Sequence, residues 1–222
     1  MTDAPVDGGA ARPIPKPLFA YALLYGGMTC IAGVLGFKQV ALGPLAVEAG
    51  IFAFLMLVVI SSTVAQLYGS VTANSMVRWG FVPLALSIVL IGLVLGLPPS
   101  TAMDAENVSA FERVLSQTPR IMAAGPVAYF VSLWLNVRIF SGLRGSGDER
   151  GGWWMMARGA IASALSQAVD SLIFITLAFY GQFPIGSLLV GQILAKVVLS
   201  IVLVPPLIAL LVRLARSRML AG

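Results

Sequence analysis

Apolar residues run along this chain in six long blocks, approximately 18–36, 46–68, 79–97, 120–140, 158–181 and 184–212. A helix rises about 1.5 Å per residue and needs about 20 apolar residues to cross a hydrocarbon core about 30 Å thick. Each block meets that length between clear breaks. The breaks carry turn residues and charges: Gly36 to Pro44, Gly69 to Arg78, Pro98 to Pro119, Ser141 to Gly152, and the tight Gly181-Gln182-Phe183-Pro184. The pattern predicts an all-α integral membrane bundle of six transmembrane helices filling residues 18–212, with a last span long enough to tilt.

Orientation follows from the Lys and Arg residues, because positively charged loops resist translocation. One side collects Arg12, Lys16, Arg78, Arg138, Arg144, Arg150, Arg158, Arg213, Arg216 and Arg218, and the other holds Lys38, Arg113 and Arg120. Ten against three, alternating through the six blocks, predicts an N-in, C-in topology. Residues 1–17 are polar and rich in Gly and Pro, without the apolar core of a signal peptide, and read as a disordered cytoplasmic tail. Residues 213–222 read as a basic cytoplasmic tail.

Between blocks three and four, Val108, Phe111 and Leu115 recur at helical spacing beside Asp104, Glu106 and Glu112. Two readings stay open there, an amphipathic helix lying at the outer interface and a plain solvated loop. Pro126 and the Pro205-Pro206 pair fall inside blocks and predict kinks, while Gly26-Gly27 and Gly159 would let helices approach closely. Glu48, at the outer start of block two, is assigned to the headgroup region. Trp79, Trp153 and Trp154 fall at block boundaries as interfacial anchors. Trp134 lies deeper, where packing or stacking on a planar substrate are both open.

Composition narrows the class. The chain is 59% hydrophobic and 10% charged with mean hydropathy +0.94, whereas soluble domains carry about a quarter charged residues. The net charge of +5 sits at block edges, where it meets lipid headgroups rather than nucleic acid. The single cysteine, Cys30, cannot form an intramolecular disulfide, and there is no histidine. Zinc sites and His-dependent catalytic groups are therefore not expected, and no nucleophile motif or convincingly spaced carboxylate pair points to an enzyme. No catalytic residue, metal ligand or cofactor is assigned. A Gly-x-x-x-x-Gly-Lys-Ser/Thr motif is not found, so a P-loop ATPase is not expected in this chain.

The polar residues that lipid rejects concentrate in block five, since a central Asp, Lys or Arg costs about 2.5–3.5 kcal/mol on insertion scales. Ser163, Ser166, Gln167 and Asp170 fall on one helical face, with Phe174 a turn later. This stripe reads either as the wall of a polar cavity or as interhelical hydrogen bonding. Block six places Gln192 and Lys196 four residues apart on one face, so Lys196 is a candidate counter-charge for Asp170. Ser61-Ser62-Thr63 and Gln66 in block two, with Ser62 and Gln66 singled out, Asn136 in block four and Arg158 at the start of block five are further candidates for the cavity or its charge balance.

The segment Ser163-Ala-Leu-Ser166-Gln167-Ala-Val-Asp170-Ser171-Leu-Ile-Phe174, followed by Ala178-Phe-Tyr180-Gly181, resembles the signature of the queuosine precursor transporters of the vitamin uptake transporter family. The resemblance extends to Lys196 through Pro205, and more loosely to Gln66-Leu-Tyr68-Gly69 and Leu135-Asn136-Val-Arg138-Ile-Phe140. Block two departs from it, with Phe54-Leu55, Ser62 and Gln66 where family members commonly carry Phe-Pro and two acidic residues. The resemblance implies a six-helix fold similar to the substrate-binding components of energy-coupling-factor transporters. It also implies uptake, across a bacterial inner membrane, of a 7-deazapurine such as 7-cyano-7-deazaguanine.

The leading expectation is therefore a membrane transporter that binds a small planar solute between spans two, four, five and six. Gln167, Asp170, Asn136, Ser166, Ser163, Gln66 and Ser62 would supply polar contacts, and Asp170, Lys196 and Arg158 the charge pairing or coupling. Transport would run on a gradient or on a separate energising ATPase, and a homo-oligomer is compatible with the sequence. The alternatives are a non-transporting membrane scaffold and a substrate-binding subunit of a larger transporter complex.

Overall fold

The computed structural model describes residues 14–142 and 152–220. Arg12, Arg144 and Arg150, used above for orientation, lie outside the described residues, as do the side chains of Asn136, Arg158, Ser163, Trp153 and Trp154. Most of the described chain is helical. The helices are α1 (Lys16–Leu35), α2 (Gly50–Tyr68), α3 (Ser70–Leu95), α4 (Ala105–Leu115), α5 (Thr118–Gly142), α6 (Gly152–Phe179), α7 (Gly186–Val202) and α8 (Val204–Leu220). Strands β1 (Gln39–Leu42) and β2 (Leu45–Glu48) form an antiparallel hairpin between α1 and α2.

Among the described residues, α1, α2 and α3 are each long and apolar enough to cross a membrane, and α7 with α8 makes a fourth span when taken as one bent unit. The bend is 44°, and it falls where Pro205 and Pro206 open α8. Proline withholds backbone donors and is accommodated most readily in a first helical turn, so the pair ends α7 and starts a new helix. Pro126 lies within α5 and Pro83 within α3.

Several element boundaries differ from the hydropathy reading. The stretch from Gly69 to Arg78 is not a break: α3 begins at Ser70, and Gly69 alone, at φ 85°, reverses the chain between α2 and α3. A positive φ is open to glycine without steric cost, which is why one residue suffices. The segment 104–118 contains the helix α4, with Val108 and Leu115 half-buried and Phe111 exposed. The segment from 213 continues α8 as far as Leu220, with Ala215 buried.

The largest correction concerns the region from Gly36 to Glu48. It is a hairpin, turned at Gly43, whose second strand packs against α7. Val47 and Glu48 point to opposite faces, yet both are buried, so β2 is wedged into protein on both sides. Gly191 makes the wedge possible, because any side chain there would meet the backbone carbonyl of Ala46.

Apolar burial drives helix association weakly in lipid, so close packing and interhelical hydrogen bonds carry more of the specificity. Tyr21 Oη donates to the carbonyl of Leu211 at 2.8 Å and ties α1 to α8. Thr29 Oγ1 lies 3.2 Å from the carbonyl of Gly80 and ties α1 to α3. Such bonds contribute on the order of 0.6–2 kcal/mol each. Buried Tyr21, Tyr25, Ile60, Val64, Met76 and Val77 pack between them. A second cluster joins Ile121 and Ala124 of α5 to Ile175 and Ala178 of α6 and Leu188 of α7. Leu86, Val89, Leu90 and Leu93 of α3 are exposed, as expected of a lipid-facing surface.

Candidate functional site

A cavity of about 170 Å³ opens among the helices. Its wall is mainly apolar and aromatic, from Tyr25 of α1, Phe54 of α2, Phe81 of α3, Tyr129 of α5 and Phe174 of α6. Its polar groups are Thr29, Glu48, Ser61, Asp170 and Lys196, beside the tyrosine hydroxyls. Ligand sites commonly have this make-up, a broad apolar surface with a few placed polar groups.

Asp170 and Lys196 meet here. Lys196 Nζ donates to Asp170 Oδ2 at 2.6 Å, and both residues are buried. Asp170 Oδ1 accepts a second hydrogen bond from Ser132 Oγ at 3.3 Å, which adds α5 to the junction of α6 and α7. Lys196 Nζ also lies 4.4 Å from the ring centroid of Phe54 and 5.9 Å from that of Phe174. The aromatic faces help offset the desolvation of the ammonium by cation–π attraction. Phe174 reaches the cavity because it follows Asp170 by one helical turn.

Glu48, assigned above to the headgroups, is buried at 3% exposure and faces the cavity. The hairpin turns it inward, and α7 receives it: Gln192 Nε2 donates to Glu48 Oε1 at 2.7 Å, and Glu48 N donates to Gln192 Oε1 at 3.2 Å. Gly50 N donates to Glu48 Oε2 at 2.7 Å. A Cβ at Gly50 would stand 2.5 Å from that same oxygen, so glycine is required where the carboxylate folds over the start of α2.

The other sequence-selected residues divide by position. Ser166 and Gln167 do not line the cavity; they lie one turn from Asp170 on the same helix, on the side away from Phe174. Ser62 is half-buried and Gln66 exposed, and neither lines the cavity; Ser61, rotated about 100° from Ser62, does. Trp134 is 58% exposed and lies under the Arg138 guanidinium at 4.9 Å, away from the cavity. Arg120, counted above as an outer-side charge, donates to the carbonyls of Leu177 and Tyr180 at the end of α6.

Residues 48–210 match a family model described as "Putative vitamin uptake transporter". A curated relative, the "Probable queuosine precursor transporter" of Bacillus subtilis strain 168, is 28% identical over 142 residues. That alignment covers 62% of this chain and 60% of the relative. No solved structure matches the chain. The family match covers both members of the Asp170–Lys196 pair as well as Glu48, and with the apolar helices it makes this chain a multi-pass membrane protein that belongs to the vitamin uptake transporter family.

Proposed function

We propose that this protein imports a planar, purine-like solute across a bacterial inner membrane, and that the solute is a queuosine precursor of the 7-cyano-7-deazaguanine type. The observation that carries the reading is the cavity itself: aromatic faces of Phe54, Phe174 and Tyr129 stand beside buried Glu48, Asp170 and Lys196. A flat heterocycle with hydrogen-bonding edges needs that combination of stacking surface and placed polar groups. The name of the Bacillus subtilis relative supports the same cargo class.

In this reading the bundle has six spans, N-in and C-in, with the hairpin and the turn at Gly181 on the outer side. Thr29, Phe54 and Phe174 then line the cavity from near the outer ends of their helices and Glu48 from the end of β2, so the cavity is reached from the outer side. A solute arriving from outside meets it first.

The test is uptake of radiolabelled 7-cyano-7-deazaguanine by cells that lack both their own precursor transporter and precursor synthesis. The expected result is accumulation above the empty-vector level, abolished by Asp170→Asn at equal membrane abundance. Well-expressed wild-type protein that accumulates none would overturn the cargo assignment.

A further inference from the structure

The charges lining the cavity do not balance. Among the described residues they are Glu48, Asp170 and Lys196, two carboxylates against one ammonium. Lys196 is engaged by Asp170 at 2.6 Å. Glu48 forms no salt bridge among the described residues; its hydrogen-bond donors are neutral, Gln192 Nε2 and Gly50 N, each at 2.7 Å, and the Lys196 ammonium, held by Asp170, acts on it only through space. In its ionised form the Glu48 carboxylate offers about four lone-pair sites, so in that form these two bonds leave roughly half of its accepting capacity for a ligand.

Glu48 is also held in place. Its backbone and side chain are both tied to Gln192, and Gly36 and Gly50 leave the space that its Oε2 occupies. A buried, fixed carboxylate with spare acceptor sites is suited to a ligand edge that presents neighbouring N–H donors. The amino-pyrimidinone edge of a guanine-type base is such an edge, since its ring N–H and exocyclic amine point the same way. Lys196, a donor without acceptor sites, cannot read it.

We infer that Glu48 selects the cargo by its amino group, so that the transporter takes 2-amino-6-oxo purine-like bases and discriminates against analogues without the exocyclic amine. This rests on the purine-like reading above. Hydrogen bonds to a charged group contribute about 1.5–3 kcal/mol, which corresponds to a preference of roughly tenfold to a hundredfold.

The experiment is competition binding on the purified full chain in detergent, with radiolabelled 7-cyano-7-deazaguanine displaced by itself or by the analogue lacking the 2-amino group. Wild type should prefer the amino compound by about tenfold or more, Glu48→Gln should compress the preference to within about threefold, and Glu48→Asp should retain part of it. A wild type without preference, or a Glu48→Gln protein that keeps it, would overturn the inference and leave the purine-like cargo standing. A folded wild type that binds neither compound overturns the cargo reading and this inference together. Should Glu48→Gln bind nothing, Glu48→Asp decides: a kept preference supports the role, and equal binding of both compounds overturns it.

Discussion

Lys196 Nζ and Asp170 Oδ2 meet at 2.6 Å across the interface of α7 and α6, and the same ammonium stands 4.4 Å from the ring centroid of Phe54 on α2. One side chain thus ties three helices at the cavity wall. Removing one partner of such a pair leaves a buried charge without its counter-ion, at a cost of about 3–5 kcal/mol, whereas neutralising both can cost little.

Lys196→Met and Asp170→Asn should each lower thermal stability in detergent, and the double variant should recover most of the loss. Uptake should remain absent in all three at matched membrane levels. Thermal melts of the purified proteins beside the uptake assay check this. A double variant that transports like wild type would show that the pair only locks helices together.

The hairpin carries a second expectation. Gly191→Leu forces a side chain into the Ala46 carbonyl and should separate β2 from α7, with a melting temperature lower by several degrees. Gly50→Ala acts more locally: its Cβ would lie 2.5 Å from Glu48 Oε2 and 2.7 Å from the Ala32 carbonyl. Cargo affinity should fall about tenfold or more, in line with a local strain of roughly 1–3 kcal/mol, while the helical circular dichroism stays unchanged. Unchanged affinity in Gly50→Ala would mean that the position of the Glu48 carboxylate does not matter to binding.

The proposed topology is open to labelling in a Cys30→Ser background. A membrane-impermeant thiol reagent should modify Ser109→Cys, on α4, in intact spheroplasts. Ser217→Cys, near the end of α8, should react only after the membrane is permeabilised. The reverse pattern would invert the orientation drawn from the charge count.

Hydropathy made the long helices legible because lipid demands unbroken apolar length. The Asp170–Lys196 pair was legible for the related reason that charge inside lipid must be neutralised. Glu48 was not, because an acidic residue at the start of an apolar block is usually solvated by headgroups, and only the hairpin's return into the bundle places it against Gln192. The 3.6-residue period put Ser166 and Gln167 on the face of Asp170, but a period reports direction around a helix and not height along it. The cavity ends near Asp170 and leaves both residues outside its lining. In α2 the run Ser61-Ser62-Thr63 is polar throughout, and of the three Ser61 lines the cavity. The contributions of α1 and α3, through Tyr25, Thr29 and Phe81, carried no charge to mark them.

The register of the hairpin, Gln39 opposite Glu48 and Leu42 opposite Leu45, fixes more than its own pairing. Side chains alternate along a strand, so adding or deleting one residue within Leu45–Glu48 would turn Glu48 to the opposite face of β2. Gln39, Ala41 and Pro44 are exposed, and side-chain changes there leave the alternation untouched, whereas Gly43, at φ 60°, holds the turn. For this segment, length is the constrained quantity and much of its composition is free: a single-codon insertion or deletion in β2 should do more damage than several substitutions on the exposed face of β1.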